Sequence, residues 1–268
     1  MVTVIIPLYN AETTIEQVLD SIRNQTAFER IHRVIVVNDG STDGSADVVK
    51  RYKEYYPDYP LELVEQENGG AAAARNTGMR MADTKYIAFL DADDIWLPEK
   101  LEKQFKVLAE NPQIRFLGTN WMDTPLKIGK KTITSLYNGT VKDICIKNFP
   151  YAQSVIMERS LIDEVGYFDP SMRHGEDMNY FQKICMLGNY YFMPEKLIQM
   201  DIGKAYFAQS GLSSHLKEMH LGTLHNIKEL REKKAISFSF WLSMRVFYQL
   251  KYYRRCIMKV LNGSKKGN

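Results

Sequence analysis

The sequence predicts an α/β fold: a mostly parallel sheet with helices on both faces, followed by a helical C-terminal tail. Uncharged runs rich in β-branched residues, such as 2–6 and 34–37, are typical of strands buried on both faces. Segments with apolar residues at helical spacing lie between these runs, and this alternation produces a parallel sheet. From His215 onward the pattern is mostly helical.

The first hundred residues contain the most regular alternation. Four strands are predicted there, at residues 2–6, 34–37, 61–64 and 86–90. We expect Asn10 to cap the first helix, because apolar residues recur at helical spacing from Ile15 to Ile22. The next helices should begin near Ser45, after Gly70 and at Pro98, since proline suits the first turn of a helix.

The pattern is less regular after the first hundred residues. Residues 119–139 are predicted to form an irregular connection. The elements predicted beyond it are a strand at 154–157, a short helix at 160–165, a helix at 175–187, and strands at 190–193 and 197–201. We expect one domain at 1–212, in two halves that meet near residue 110, and a C-terminal region at 213–268.

Composition and cysteine spacing predict a location. The chain has 268 residues, 45% hydrophobic and 25% charged, as in ordinary folded proteins. Cys145, Cys185 and Cys256 are widely spaced, without metal-ligand spacing, which is typical of reduced thiols in a cytoplasmic protein. The chain begins with a strand, and no window approaches the roughly 18 apolar residues that span a bilayer, so we expect neither a signal peptide nor a membrane span.

Polar residues follow three predicted strands at the point where each strand ends. These are Pro7 and Tyr9, Asp39, and the run 91–94, which contains Asp91, Asp93 and Asp94. In parallel sheets ligands bind beyond the carboxyl ends of the strands. Carboxylates this close repel one another unless a cation compensates, and oxygen ligands favour Mg²⁺ or Mn²⁺. A solvated turn capped by Asp94 is the alternative.

Four segments together resemble family 2 glycosyltransferases of the GT-A fold, and they occur in the order and spacing of that family. The segments are 3–10, 36–43, 68–78 and 89–94. The resemblance implies an enzyme that transfers a sugar from a nucleotide diphosphate donor, most directly a UDP-sugar, with inversion. It also implies that 1–110 binds the nucleotide-sugar and that 111–212 binds the acceptor.

The resemblance also implies roles for the nucleotide-binding residues. Tyr9, beside Pro7, would stack on the nucleobase, although a core tyrosine is the alternative. Asp39 would accept a hydrogen bond from the uracil ring N–H, and it also suits an Asx turn. Gly70 would let the backbone pass close to the ligand, and Arg75 would reach the nucleotide or its diphosphate.

The metal and the base are implied in the same way. Asp91 would face the ribose or a metal-bound water, and Asp93 would bind Mn²⁺ or Mg²⁺. Inverting transfer needs a base for the acceptor hydroxyl, and the acidic pair Glu176–Asp177 at a predicted helix start fits that role. Asp177 is the expected base, with Glu176 as the second choice or an acceptor ligand. Complementarity to the helix dipole alone is the alternative for this pair.

The sequence departs from related patterns in two places. Many GT-A enzymes have a late histidine that completes the metal shell, but residues 206–213 contain none, and His215 is expected to be a surface histidine. The Q-x-x-R-W motif of processive members is also absent, so we expect one sugar to be added per encounter.

The C-terminal tail is basic and aromatic. From Lys228 onward, eleven Lys and Arg stand against Glu229 and Glu232, a net charge of +9 that leaves −6 on the rest of the chain. Residues 236–261 could lie on the anionic inner face of a membrane, near a lipid-linked acceptor, or pack on the domain. Nucleic acid is not expected, because the charge is confined to the tail.

Two other classes of protein are weighed against the transferase. A sugar-nucleotide pyrophosphorylase would need a glycine-rich loop with a basic residue soon after the first strand, and residues 9–13 have neither. The presence of Asp91, Asp93 and Asp177 argues against a non-catalytic sugar-nucleotide binding protein.

Overall fold

A computed structural model describes residues 1–200 and 215–264, with side chains as far as Lys259. The strands of the described part, in chain order, are β1 Val2–Leu8, β2 Ile31–Asp39, β3 Leu61–Gln66, β4 Tyr86–Phe89, β5 Ile95–Trp96, β6 Phe116–Asn120, β7 Leu126–Ile128, β8 Lys131–Ile133, β9 Tyr137–Asn138, β10 Ile156–Glu158, β11 Tyr191–Lys196 and β12 Ile198–Gln199. The helices are α1 Ile15–Arg23, α2 Ser45–Tyr55, α3 Ala71–Met81, α4 Lys100–Glu110, α5 Val141–Ile146, α6 Leu161–Val165, α7 Glu176–Met186, α8 Leu216–Glu232 and α9 Phe238–Ser264.

The central sheet has eight strands in the order β3-β2-β1-β4-β10-β6-β11-β9. Strands β1 to β4 pair in parallel, and β11 pairs in parallel with β6. Strand β10 is antiparallel to both of its neighbours, and β9 is antiparallel to β11. The predicted mostly parallel sheet is therefore confirmed, with β10 as an antiparallel insertion at its centre.

Helices cover both faces of the sheet, as predicted. Alternate residues of β1 point to opposite sides, so Val4 and Ile6 belong to one apolar cluster and Ile5 to another. The first cluster includes the buried residues of α1 and α2, and the second includes Phe181 of α7 together with Phe89 of β4. Each face of the sheet thus has its own core.

The first helix does not begin as the sequence predicts. Thr14 occupies the N-cap position of α1, and Asn10 lies four residues earlier with a φ of 49°. The Asn10 side chain accepts a hydrogen bond from the backbone N–H of Thr42 at 2.8 Å instead. Asparagine tolerates the left-handed region, so Asn10 turns the chain after β1 rather than capping the helix.

The predicted irregular connection at 119–139 is also wrong. It contains the antiparallel hairpin of β7 and β8, turned at Gly129 with a φ of 58°, and the edge strand β9. Strands of two or three residues are too short to show a periodic pattern. The strand predicted at 154–157 starts later, at Ile156, because Ala152–Ser154 forms a 3₁₀ turn.

The C-terminal region is helical as far as it is described. Helices α8 and α9 pack together around Ile227, Leu230 and Tyr248, and Cys145 of α5 joins this cluster. Three predicted features lie outside the described residues: the end of the predicted strand at Asp201, the segment 206–213, and the domain boundary at 212/213. Among the described helices, none is both long and apolar enough to span a bilayer.

Candidate active site

The carboxyl ends of β1, β2 and β4 meet at one edge of the sheet because these strands are parallel neighbours. Tyr9 follows β1, Asp39 ends β2, and Asp91 follows β4 by two residues. The structure therefore brings the three predicted strand-end groups to one edge.

Tyr9 projects from the loop after β1. It is 52% exposed, so the alternative of a core tyrosine is wrong. Two hydrogen bonds from the segment after β2 fix this loop. The Ser41 hydroxyl accepts from the N–H of Asn10 at 3.1 Å, and the Ser45 hydroxyl accepts from the N–H of Ala11 at 2.8 Å. An exposed aromatic ring on a fixed loop is available to stack on a planar ligand.

Asp39 is 2% exposed, and its carboxylate organises the glycine turn before α3. One oxygen accepts from the N–H of Gly70 at 2.7 Å. The other accepts from the N–H of Gly69 at 2.8 Å and from the side chain of Gln66 at 2.7 Å. Gly70 has a φ of 87°, a conformation that side chains other than glycine rarely adopt. Asp39 thus fixes the glycine turn at the edge of the site.

Arg75 lies at the centre of the site and is 5% exposed, so it is a buried arginine and not a surface one. Its guanidinium donates to Asp91 at 2.7 Å and to Glu176 at 3.1 Å. Burial alone would lower the pKa of Arg75, but the carboxylates of Asp91 and Glu176 outweigh that effect and raise the pKa above its ordinary value. A permanently charged arginine therefore joins the two halves of the chain.

The acidic turn after β4 is anchored by its backbone. The N–H of Asp94 donates to the carbonyl of Asp91 at 3.2 Å, and the Thr14 hydroxyl donates to the carbonyl of Ala92 at 2.7 Å. Asp94 is 3% exposed, whereas Asp91 and Asp93 remain partly exposed. Asp91 and Asp93 are therefore accessible to a ligand at this edge of the sheet, whereas Asp94 is buried.

This pair of carboxylates fits a divalent cation whose coordination shell is completed from outside the protein. Within the part of the chain that the structure describes, no group of three His, Cys, Asp or Glu side chains is placed to hold a metal. Mg²⁺ and Mn²⁺ are often bound through one or two carboxylates together with substrate phosphates and water. Two partly exposed carboxylates in one turn match that arrangement.

The acidic pair begins α7, immediately after Gly175, which has a φ of 76°. Glu176 is 8% exposed and is held by Arg75, while Asp177 is partly buried and accepts from the N–H of Met178 at 2.6 Å. Burial, followed by the charge of Glu176, raises the pKa of Asp177 to about 6, against the opposing charge of Arg75. An aspartate with such a pKa is mostly ionised at neutral pH and can be protonated reversibly.

One cationic residue of the site was missed by the sequence reasoning. Arg173 is exposed, and one of its terminal nitrogens lies 3.5 Å from the side-chain oxygen of Asn68. A Cβ built on Gly70 would lie 3.9 Å from the same nitrogen, so Arg173 reaches the glycine turn. Its position two residues before Gly175, in the motif that contains the acidic pair, is the signal that could have indicated it.

His215 lies beside His174, which precedes the acidic pair, and within the described residues it does not join Asp91 and Asp93 as a third metal ligand. It is exposed, as predicted, at the N-cap of α8, and its ring centroid is 5.7 Å from that of His174. Burial, followed by the charge of His215, lowers the pKa of His174.

The fold and the site together define a class. A mostly parallel sheet with paired carboxylates after one strand and a later acidic pair resembles the architecture of GT-A glycosyltransferases. The chain belongs to glycosyl transferase family 2, whose family model matches residues 3–158. The resemblance stated from the four sequence segments is confirmed.

Curated relatives agree with this family. An uncharacterized glycosyltransferase of Rickettsia bellii is 35% identical over 66% of this chain and 25% of its own length. The putative teichuronic acid biosynthesis glycosyltransferase TuaG of Bacillus subtilis is 40% identical over 41% of this chain and 42% of its own length. The chain thus spans less than half the length of these relatives.

Solved structures agree with the fold. TarS of S. aureus, residues 1–349 in complex with UDP-GlcNAc, matches with a TM-score of 0.68 and 19% identity over 92% of this chain and 71% of that one. The mannosyltransferase PcManGT of Pyrobaculum calidifontis, in complex with GDP-Man and Mn²⁺, matches with a TM-score of 0.68 and 21% identity over 98% of this chain and 79% of that one.

Proposed function

We propose that the protein transfers one sugar from a nucleotide diphosphate donor, a UDP-sugar, to a hydroxyl group of a glycan or lipid-linked acceptor, with inversion. The observation that carries this proposal is that Arg75 makes two ion pairs, one with Asp91 and one with Glu176. They tie Glu176, and with it Asp177, to the turn that holds Asp91 and Asp93. The turn proposed to hold the donor is thereby tied to the acidic pair proposed to supply the base.

The donor's nucleoside would lie along the edge formed by Pro7, Tyr9 and Asp39. Tyr9 would stack on the base, and Asp39 has lone pairs left to accept from a ring N–H, since each carboxylate oxygen can accept more than once. Asp91 and Arg75 would contact the ribose or the diphosphate. The backbone at Gly70 allows close approach, because glycine carries no side chain there.

Arg173, in the segment before α7, would also bind the diphosphate. Its guanidinium is exposed and lies next to the glycine turn, so it can swing toward phosphate oxygens without breaking a buried contact. Asp93 and Asp91 would hold Mn²⁺ or Mg²⁺. When bound, that ion supplies charge that stabilises the departing diphosphate.

Asp177 would take the proton of the acceptor hydroxyl as it attacks the anomeric carbon. Its pKa of about 6 leaves the carboxylate mostly ionised at pH 7 and able to receive a proton. Glu176 is less suited to that role because its oxygen is paired with Arg75 at 3.1 Å. Glu176 would instead fix the position of the helix start.

The acceptor class is inferred from the names of two relatives. The names of TuaG and of GgaA, a minor teichoic acid biosynthesis protein of Bacillus subtilis, point to envelope polymers, and GgaA is 24% identical over 84% of this chain. A lipid-linked acceptor would place the protein at the inner face of a membrane. A non-catalytic protein would form no product, and a pyrophosphorylase would form different products from those of the proposed transferase.

The test is incubation of the protein with a panel of nucleotide sugars and Mn²⁺, followed by measurement of the nucleotide released. The proposal predicts slow release of UDP from one UDP-sugar, which ceases when EDTA is added. Binding without turnover of any donor would favour a non-catalytic protein. Formation of UTP from a UDP-sugar and pyrophosphate would favour the pyrophosphorylase.

A further inference from the structure

Helix α9 exposes a continuous apolar face, here called the α9 apolar face. Its members recur every three or four residues, so they share one side of the helix, and each is 48–64% exposed: Phe238, Leu242, Val246, Leu250, Tyr253 and Ile257. At 1.5 Å per residue this face is about 30 Å long. Contiguous apolar surface of this kind marks an interaction site in a folded protein.

The opposite side of the helix is anchored, which fixes the direction of the apolar face. Tyr248 is 8% exposed and donates from its hydroxyl to the carbonyl of Cys145 at 2.8 Å. Trp241 and Met244 pack against the cluster that contains Leu230 of α8. The apolar face is therefore exposed because the opposite side of α9 packs against α5 and α8.

The charge of the helix indicates what this face binds. Residues 238–264 contain five Lys and Arg and no Asp or Glu. Arg245 and Arg254 are exposed and adjoin Val246 and Tyr253 of the apolar face. A second copy of the chain would bring like charges together, whereas an anionic lipid surface offers both apolar chains and negative headgroups.

We propose that the α9 apolar face lies on an anionic lipid bilayer, parallel to its surface, with Arg245 and Arg254 at the headgroups. This inference makes the membrane location in the proposed function more specific. The biological purpose of the contact rests on that proposed function. The contact itself does not require the donor or the acceptor. The chain would bind reversibly, since a helix of this type lies at the interface and does not span the bilayer.

The experiment is flotation of the full chain with vesicles of phosphatidylcholine alone or with an equal share of phosphatidylglycerol. Binding is expected only to the anionic vesicles. The double variant Leu250→Gln with Ile257→Gln should lower the partition coefficient at least about tenfold. Arg245→Gln with Arg254→Gln should lower it about 25-fold, roughly fivefold for each basic residue near the surface.

A matched control removes two apolar side chains that lie outside the face. Tyr55 is 82% exposed and Leu221 is 53% exposed, so Tyr55→Gln with Leu221→Gln should float like the wild type. Absence of wild-type flotation, or flotation equal in the Leu250/Ile257 variant and the control, would overturn the inference. So would a wild-type dimer in sedimentation that the same variant abolishes. Donor hydrolysis without vesicles should be unchanged in every variant, so a failure of the enzymatic proposal would be seen separately.

A second inference rests on a buried polar network between α7 and α8. Asn226 is fully buried, and its amide donates to the carbonyl of Gly175 at 2.8 Å. Its oxygen accepts from Asn179 at 3.1 Å, and Asn179 also donates to Glu229 at 2.6 Å. Helix α8 is thus hydrogen-bonded to the backbone of Gly175, which immediately precedes the acidic pair.

Close packing supports the same contact. A Cβ added to Gly222 of α8 would lie 2.3 Å from the carbonyl oxygen of His174, so only glycine fits there. Gly175 itself is in the left-handed conformation at the N-cap of α7. We infer that Asn226 is a positioning residue, which holds the Gly175 carbonyl and thereby sets where Glu176 and Asp177 lie.

The test compares Asn226→Ala with Asn189→Ala. Asn189 also bonds to backbone groups, accepting from the N–H of Arg115 at 2.7 Å, but it follows the end of α7 whereas the acidic pair begins that helix. Both variants should be less stable, while only Asn226→Ala should lower kcat for donor hydrolysis, about tenfold for a lost buried hydrogen bond, with donor Kd and KM unchanged. Equal kcat in the two variants, or a loss of donor binding in Asn226→Ala, would contradict the inference.

Discussion

Arg75 and Glu176 are 101 positions apart in the sequence, yet the guanidinium of one lies 3.1 Å from the carboxylate of the other. The second terminal nitrogen of Arg75 binds Asp91 at 2.7 Å. Because Arg75 and Glu176 are both buried, this contact fixes the acidic helix start against the turn after β4. The candidate site therefore depends on a bridge that no single motif contains.

Replacement of Arg75 by methionine should destabilise the protein strongly. Two carboxylates would lose their shared cation, and breaking a buried ion pair costs about 3–5 kcal/mol of unfolding free energy. Urea unfolding measures this loss. Arg115→Met is the control, since Arg115 pairs with Glu158 and Glu164 nearer the surface and should cost less than about 1 kcal/mol. Equal losses would contradict the bridging role.

Asp93→Asn should weaken the dependence of UDP binding on Mn²⁺. An amide is a weaker ligand than a carboxylate for a hard cation, so the affinity gained on adding the metal should fall at least about tenfold. Calorimetry with and without EDTA measures it. Asp58→Asn, at an exposed position in the connection between α2 and β3, should behave like the wild type. Undiminished metal dependence in Asp93→Asn would refute the assignment.

Arg173→Met should weaken binding of UDP about five- to tenfold without changing the affinity for uridine. Its guanidinium lies at the glycine turn, where it would meet the phosphates and not the base. Calorimetric titration with the two ligands separates these effects. Arg51→Met changes an exposed arginine of α2 and should alter neither affinity. A parallel loss for uridine would show that Arg173 acts on the fold of the site.

The pH dependence of turnover should follow Asp177. Burial and the charge of Glu176 raise its pKa to about 6, and a general base must be ionised, so kcat should rise through pH 6 and level off above pH 7. The raised pKa also means that ionised Asp177 lowers stability above pH 6, a cost that disappears below the unfolded value near pH 4. Asp177→Asn should therefore raise Tm at pH 8 and leave it unchanged at pH 4. A pH-independent difference in Tm would contradict the assignment.

The sequence predicts the edge of the sheet better than the interior of the site. Tyr9, Asp39 and Asp91 could be placed because parallel strands bring their carboxyl ends together, whatever the rest of the fold does. The partners of Arg75 could not, because they depend on how α7 packs against the sheet. Asp39 illustrates the same limit, since its bonds to the N–H groups of Gly69 and Gly70 follow from the path of a turn.

Short elements and inter-helix contacts lie beyond sequence patterns as well. The hairpin of β7 and β8 has three residues in each strand, too few for a period to emerge. The contact of Asn226 with Gly175 joins residues 51 positions apart, and a buried asparagine in a helix gives no sign of its partner. Arg173 was missed because a lone arginine before an acidic pair resembles a surface charge.

The most direct test of the account is NMR of an α-linked UDP-sugar with Mn²⁺, followed from the first turnover in wild type and in Asp177→Asn. We predict that the wild type releases UDP and a sugar that is initially the β anomer. We predict that Asp177→Asn binds the donor with unchanged affinity and turns it over at least about a hundredfold more slowly. Release of the α anomer, release of sugar 1-phosphate, or wild-type turnover in Asp177→Asn would contradict inverting transfer with Asp177 as the base.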